Sequence, residues 1–278
     1  MKKVIYLLVL CMVLGMAGCG TNQENKKPVS GNVSVEIENK ENDDVVQNEQ
    51  TADTGSYPPC VMVDGVIYMS SCLEEETLDI INELDLKTVL AESRDKEGRL
   101  PSVIIDNVEA AYNATKSLID KGLKNIAFVG FNKGSVNAWG DRQVGYEKAL
   151  EENGLKVDED LEFFKDLKVK SGYKAVEKFI ESGKKFDGVV CSSDEIAMGV
   201  INALREKGIR VPEDVSVIGF NDNAVASYFY PKITTVKQPS YDMGSVAMRM
   251  LIKMLNNKPL EQDQYVLDYK IINRESTK

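Results

Sequence analysis

Short apolar runs alternate with stretches of helical periodicity from Val61 onward. The run at 61–69 is continuously apolar, and residues 73–84 that follow it carry apolar side chains at helical spacing. Further strand-type runs lie at 88–91, 102–105, 126–129, 188–191, 215–220 and 265–272. The helical stretches between them are 108–121, 141–153, 171–181, 194–207 and 241–255. Short buried strands that alternate with helices indicate βαβ units, so we predict an α/β fold with a parallel sheet covered on both faces.

The first 60 residues follow a different pattern. Two lysines precede the apolar run Val4–Val13, and the sequence Met-Ala-Gly-Cys closes this region at Cys19. A positive start, a short apolar run and small residues before a cysteine are typical of a bacterial lipoprotein signal. We therefore predict a signal peptide over 1–19, with Cys19 as the lipidated residue. The alternatives are a plain secretory signal and an N-terminal helix.

Residues 20–56 are rich in Asn, Gln, Glu, Asp, Lys and Thr and contain no aromatic residue. Such a segment buries too little apolar surface to offset the entropy of ordering, so we predict a disordered tether over 20–60. Two acyl chains hold a protein stably on a membrane. We accordingly expect a lipid anchor at the extracytoplasmic face of the cell membrane, or a cytoplasmic protein if the signal is not used.

Composition narrows the classes of function. The 278 residues carry a formal charge of −10 and 43% of them are hydrophobic, which allows a core but disfavours nucleic-acid binding. The absence of histidine removes the usual zinc ligand and the Ser-His-Asp triad. The five cysteines show no CxxC spacing. We expect no metal, no cofactor and no catalysis, and an enzyme is the weakest alternative.

Polar loops follow three of the predicted strands. They lie at 131–139, 192–194 and 221–222, each directly after a buried apolar run. Because parallel strands place their carboxyl ends at one edge of a sheet, the polar groups of these loops can converge. The residues alone therefore predict a binding site at that edge.

Several blocks occur in the order and spacing of one known family. They are VDGVIYM (63–69), PSVIIDN (101–107), KGLKNIAFVG (121–130), DRQVGYEKALEENG (141–154), SSDEIAMGVINALREKGIRVPEDVSVIGFND (192–222), ITTVKQP (233–239), MGSVAMRMLIKML (243–255) and INRES (272–276). On these blocks the chain resembles the effector-binding part of LacI/GalR regulators over residues 61–278. The resemblance implies a periplasmic-binding-protein-like type I fold, in which two doubly wound α/β lobes joined by three crossing strands clamp a small molecule.

The resemblance also implies boundaries. It assigns 61–122 and 236–256 to a first, N-terminal lobe, and 123–235 and 257–278 to a second, C-terminal lobe. The second lobe is expected to be complete. The first is expected to lack its first two βα units, and we expect no helix-turn-helix head in this chain.

Arg142 matches a ligand-contacting arginine of the family. Its guanidinium group can donate two hydrogen bonds to hydroxyls or to a carboxylate. Its alternative role is a surface salt bridge. Asn221 stands where the family usually has an acceptor Asp, and Asp222 keeps a second carboxylate. Both can instead form a turn or a helix cap.

Three further positions complete the expected ligand set. Ser193 matches a position often held by Asn, or it is only a helix N-cap. Leu167 stands where an aromatic often stacks on the ligand. Trp139 can take over that stacking, or it packs within a lobe. Ser135 and Asn137 are additional loop candidates.

We interpret the chain as a non-catalytic, membrane-tethered sensor of a small polar metabolite, with a sugar as the first expectation and a homodimer as a further partner. The alternatives are a LacI-family transcriptional regulator whose head is absent from this chain, and a recombined fragment that does not fold stably.

Overall fold

The structure is a computed structural model that describes residues 63–69, 73–135 and 137–278. The predicted signal peptide, Cys19 and the predicted tether lie outside the described residues. The described α-helices are α1 (Glu75–Glu83), α2 (Asn107–Ile119), α3 (Ala138–Glu152), α4 (Val169–Glu181), α5 (Asp194–Glu206), α6 (Ala224–Tyr228) and α7 (Ser240–Leu255). The described strands are β1 (Gly65–Met69), β2 (Lys87–Ala91), β3 (Ser102–Ile105), β4 (Ile126–Gly130), β5 (Glu162–Phe164), β6 (Gly188–Cys191), β7 (Ser216–Asn221), β8 (Thr234–Lys237), β9 (Gln264–Leu267) and β10 (Lys270–Ile272).

These strands form two sheets. The first has the order β1-β2-β3-β9, and all of its strands run parallel. The second has the order β10-β8-β7-β6-β4-β5, in which β10 alone is antiparallel to its neighbour. The predicted α/β class with parallel sheets is confirmed.

The second sheet is buried on both faces because its strands are apolar on both. On β4, Ile126 and Phe128 join a core with α2 and α3, whereas Ala127 and Val129 join a core with α4 and α5. On the first sheet, α7 packs its buried face, which includes Met243, Ala247, Met250 and Leu251, against β1, β2 and β3. No helix in the described part of the chain is long and apolar enough to cross a bilayer.

Helix α2 lies on the second sheet, beside α3. Its residues Ala110, Ala114 and Leu118 join the core that contains Phe128. The predicted first lobe extends to residue 122 and so includes α2, which in the structure contacts α3 and the strands β6 and β8 of the second sheet. The reason is packing, because the small-residue face of α2 fits against α3.

The end of the chain is also divided differently from the prediction, which assigned all of 257–278 to the second lobe. The single strand predicted at 265–272 is two strands, because β9 pairs with β3 of the first sheet and β10 pairs with β8 of the second. Residues 264–267 therefore belong to the first sheet. The chain crosses between the sheets at the β3–α2, β8–α7 and β9–β10 junctions.

Candidate functional site

Arg142 is buried where the two sheets meet, with 2% of its surface exposed. It lies in the first turns of α3, which begins at Ala138 because the side chain of Asn137 accepts hydrogen bonds from the first free N–H groups of the helix. Its Nε donates to Oδ1 of Asn107 over 2.9 Å, and its Nη1 donates to the carbonyl oxygen of Ser192 over 2.7 Å. These contacts fix the guanidinium from α2 and from the carboxyl end of β6.

Two aromatic rings lie against the same guanidinium. Its carbon is 4.4 Å from the ring centre of Trp139 and 3.7 Å from that of Phe220. Cation–π attraction of this kind is strongest where water is excluded. The rings therefore hold the arginine in one orientation at the edge of the second sheet.

Burial lowers the pKa of Arg142 to about 10, and the nearby carboxylates of Glu92, Asp194 and Asp141 partly oppose this change. The group stays protonated at neutral pH. Among the described residues, its Nη2 atom has no hydrogen-bond partner. The site thus contains a buried positive charge that still offers N–H donors.

Further polar atoms are buried without a hydrogen-bond partner in the described part of the chain. They include Oγ of Ser192, Nε1 of Trp139 and Oγ of Ser93. Of these residues, Ser192 and Trp139 contact Arg142. An unpaired buried polar group is costly. Two such groups therefore lie beside Arg142.

Two sets of side-chain contacts connect the first lobe to the second beside Arg142. Gln238 donates from Nε2 to Oε1 of Glu92 over 2.8 Å and to Oδ1 of Asn221 over 2.6 Å. Arg94 pairs with Asp141 over 3.1 Å. We use the term interlobe site for the residues that surround Arg142: Glu92, Asn107, Trp139, Ser192, Phe220, Asn221 and Gln238.

The structure places four of the six expected ligand residues at or beside this site. Trp139 contacts Arg142, Asn221 follows Phe220, and Ser193 follows Ser192. The Ser193 hydroxyl accepts a hydrogen bond from the N–H of Ile196 over 3.3 Å and so acts as the N-cap of α5. Their contact with a ligand stays a prediction.

The other two expected residues have different surroundings. The Asp222 carboxylate pairs with Arg274 over 2.6 Å. Leu167 is half-buried and packs against the core of α4 and α5. Of the additional loop candidates, Ser135 donates its hydroxyl to Asn137, which caps α3. In the described conformation these side chains are engaged within the protein.

Asp194 supports the loop that carries Asn221. Its carboxylate is fully buried, accepts a hydrogen bond from Thr235 over 2.6 Å and another from the backbone N–H of Asn223 over 2.8 Å. Burial raises the pKa of Asp194 to about 6, although the two hydrogen bonds act in the opposite direction. The side chain is structural in this conformation.

The buried Asp194 makes stability depend on pH. Because its pKa is raised on folding, the stabilising contribution is present below the unfolded value of 3.8 and is lost as pH rises to about 6. Relative to Asp194→Asn, the wild-type free energy of unfolding is expected to fall by about 2 kcal/mol between pH 4 and pH 6. Urea unfolding of both proteins across this range measures the difference, and a pH-independent difference would contradict it.

Sequence reasoning missed Asn107, Glu92 and Gln238. Asn107 is the last residue of VIIDN, Glu92 of TVLAE and Gln238 of TTVKQ. Each of these segments is a strand-type run that ends in polar residues. The signal was therefore the same one that located the three polar loops, namely a polar residue directly after an apolar strand. It could have indicated these residues but not their partners.

Comparison with known proteins agrees with this geometry. Residues 115–277 match the periplasmic binding protein-like domain family. The chain is 63% identical over 216 residues to the HTH-type transcriptional regulator RegA of Clostridium saccharobutylicum, a match that covers 78% of this chain and 65% of the relative. The chain thus spans a little under two thirds of that relative.

Two solved structures are similar over the same region. The transcription regulator CcpA of Lactococcus lactis is 39% identical, with a TM-score of 0.73 that covers 78% of this chain and 79% of that one. The transcriptional regulator CelR, solved as a complex with cellobiose, is 31% identical, with a TM-score of 0.72 that covers 77% of this chain and 66% of that one.

Proposed function

Since this chain belongs to the periplasmic binding protein-like family, as a LacI-type effector-binding domain, we propose that its interlobe site binds a small polar metabolite without catalysis. One observation carries this proposal. Arg142 is buried between Trp139 and Phe220, and its hydrogen bonds to described residues use Nε and Nη1. The Oγ of Ser192 and the Nε1 of Trp139 beside it have no partner among the described residues. Most buried polar groups in proteins have a hydrogen-bond partner, so two unpaired groups beside one buried arginine support a polar ligand here.

A carbohydrate is the ligand class that we propose first. Arginine and serine can donate to sugar hydroxyl oxygens, Asn221 both donates and accepts, and an aromatic ring such as Trp139 packs against the C–H face of a sugar. The similar CelR was solved with cellobiose, which supports a sugar. Replacement of the usual Asp by Asn221 removes a negative charge from the site and keeps a hydrogen-bond acceptor.

Ligand binding is expected to stabilise the protein. A ligand at 100 times its dissociation constant should add about 2.7 kcal/mol to the free energy of unfolding. We would measure thermal unfolding with cellobiose, glucose, ribose and hypoxanthine, and follow the fluorescence of Trp139, which is the only tryptophan in the sequence. A cooperative melt would argue against an unstable fragment. Unchanged melts and fluorescence across the panel would contradict the proposal.

A second proposal is that the domain senses an effector for transcriptional regulation. It is supported by the relatives, because RegA and CcpA are both transcription regulators. A gel shift with the promoter DNA of the chain's own locus at low salt tests direct DNA binding by this chain. The acidic charge of −10 leads us to expect no shift.

Attachment to the membrane through Cys19 stays a proposal from the sequence. Incorporation of labelled palmitate into the wild type, but not into Cys19→Ala, is the expected result.

We also propose that the protein forms a homodimer. Light scattering of the purified protein measures its molar mass in solution, which is expected to be that of two chains.

A further inference from the structure

The two residues that follow Phe220 have an unusual backbone. Asn221 has a φ of 103° and Asp222 a φ of 58°, both in the left-handed region that side chains with a Cβ rarely adopt. Two consecutive residues of this kind need contacts from elsewhere to hold them. The interlobe site depends on this geometry because Asn221 is bonded to Gln238 within it.

Arg274 provides such a contact from the far end of the chain. Its Nη2 donates to Oδ1 of Asp222 over 2.6 Å, and the two side chains are only 15% and 11% exposed. Its Nη1 donates to the carbonyl oxygen of Ile233 over 2.8 Å, which fixes the guanidinium to the start of β8. A charge-assisted bond between largely buried partners is strong and directional.

The segment that carries Arg274 is itself fixed to the second sheet. We call residues 274–277 the strap. Ser276 is fully buried, donates its hydroxyl to the carbonyl oxygen of Val217 and accepts the N–H of Thr234 over 2.8 Å. The N–H of Val217 donates to the carbonyl oxygen of Ser276 over 2.8 Å. The strap thus gives Arg274 a rigid base.

We propose that Arg274 is a positioning residue for the interlobe site: by holding Asp222, it keeps the left-handed loop in place and directs the amide of Asn221 toward the ligand. Arg274 at 2.6 Å and Lys237 at 3.6 Å together neutralise the Asp222 carboxylate, so the loop offers the ligand an amide instead of a second negative charge. The binding part of this inference rests on the proposed function, whereas the structural part does not.

Three variants test it. Arg274→Met removes the contact with Asp222, Arg274→Lys keeps the charge with fewer donors, and Glu275→Gln is the matched control. Glu275 lies in the same strap but contacts Lys232 instead of the loop, through the backbone N–H at 3.1 Å and Nζ at 3.9 Å. Amide hydrogen exchange is the first readout because it needs no ligand.

In Arg274→Met, the amides of Asp222 and Asn223 are expected to exchange at least about tenfold faster, while the amide of Val217 keeps its wild-type rate. Glu275→Gln should show wild-type rates at all three. Unchanged exchange at Asp222 and Asn223 would overturn the proposal, because the contact would then not hold the loop. Equal acceleration at Val217 would also overturn it, because Arg274 would then stabilise the lobe as a whole.

The second readout is a titration with cellobiose, followed by the fluorescence of Trp139 well below the melting temperature. Arg274→Met is expected to bind about tenfold more weakly, Arg274→Lys to recover part of the loss, and Glu275→Gln to stay within about twofold of the wild type. Wild-type affinity in Arg274→Met would overturn positioning. Failure of the wild type to bind cellobiose would count against a sugar ligand, and the exchange measurement would still decide the role of Arg274.

Discussion

Replacing Arg142 with methionine is expected to weaken binding of the interlobe ligand at least about 30-fold. Methionine keeps much of the apolar stem but removes the charge and every N–H donor from the centre of the site. A hydrogen bond to a charged group typically contributes about 1.5–3 kcal/mol, and about 1.4 kcal/mol corresponds to tenfold in affinity. Titration of the wild type and the variant with the compound that stabilises the wild type in the thermal unfolding experiment gives the ratio of their dissociation constants.

Arg205 provides the matched control for this substitution. It is exposed on α5 and donates to the side chain of Asn202 over 2.7 Å, away from the interlobe site. Arg205→Met should therefore bind the ligand with wild-type affinity. Wild-type affinity in Arg142→Met, or an equal loss in both variants, would show that Arg142 does not contact the ligand.

The periodicity of the chain predicted most of the helices and strands. In the second lobe most strands are short apolar runs, and the helices between them carry apolar side chains at helical spacing. The strand predicted at 188–191 is observed as Gly188–Cys191, since all of its residues are buried between helices on both faces. Helix α3 begins at Ala138, earlier than the predicted 141, because Asn137 caps it. The edge strand β5 was missed, since Glu162–Phe164 is short and shows no apolar run.

The candidate site was predictable only in part. The strand-end rule located Trp139 and Asn221 at one edge of the second sheet, and the family resemblance singled out Arg142. The structure places Trp139 against Arg142, and Asn221 directly after Phe220, whose ring also contacts Arg142. It did not predict that Asp222 pairs with a residue 52 positions later, or that Gln238 bonds to a residue 146 positions earlier. Such pairs depend on how the two sheets meet, which local patterns do not encode.

The position of Arg142 depends on the distance between α2 and α3. Asn107, at the start of α2, accepts the hydrogen bond from Arg142, which lies on α3. Gly145 follows Arg142 by three residues and sets this distance. A Cβ at Gly145 would lie 2.2 Å from the carbonyl oxygen of Val108 and 2.8 Å from the backbone nitrogen of Tyr112. The two helices can approach so closely only because position 145 has no side chain.

Gly145→Ala is therefore expected to lower the free energy of unfolding by about 3 kcal/mol, in the upper part of the range for overpacked cores. The clash involves backbone atoms of α2, which cannot rotate away, so the helices must separate. This separation should also lengthen the hydrogen bond from Arg142 to Asn107 and weaken ligand binding. Urea unfolding gives the stability change, and Trp139 fluorescence reports the change at the site because its ring contacts Arg142.

Gly244 allows the steric cause to be separated from the effect of adding a methyl group to a helix. It lies within α7, and a Cβ there would meet no heavy atom within 4 Å. Gly244→Ala should stabilise the protein by about 0.5–1 kcal/mol, because alanine loses less backbone entropy in a helix than glycine does. If Gly145→Ala were as stable as Gly244→Ala, close packing of α2 on α3 would not be what positions Arg142. A destabilised Gly145→Ala beside a stabilised Gly244→Ala is the result that the contact distances require.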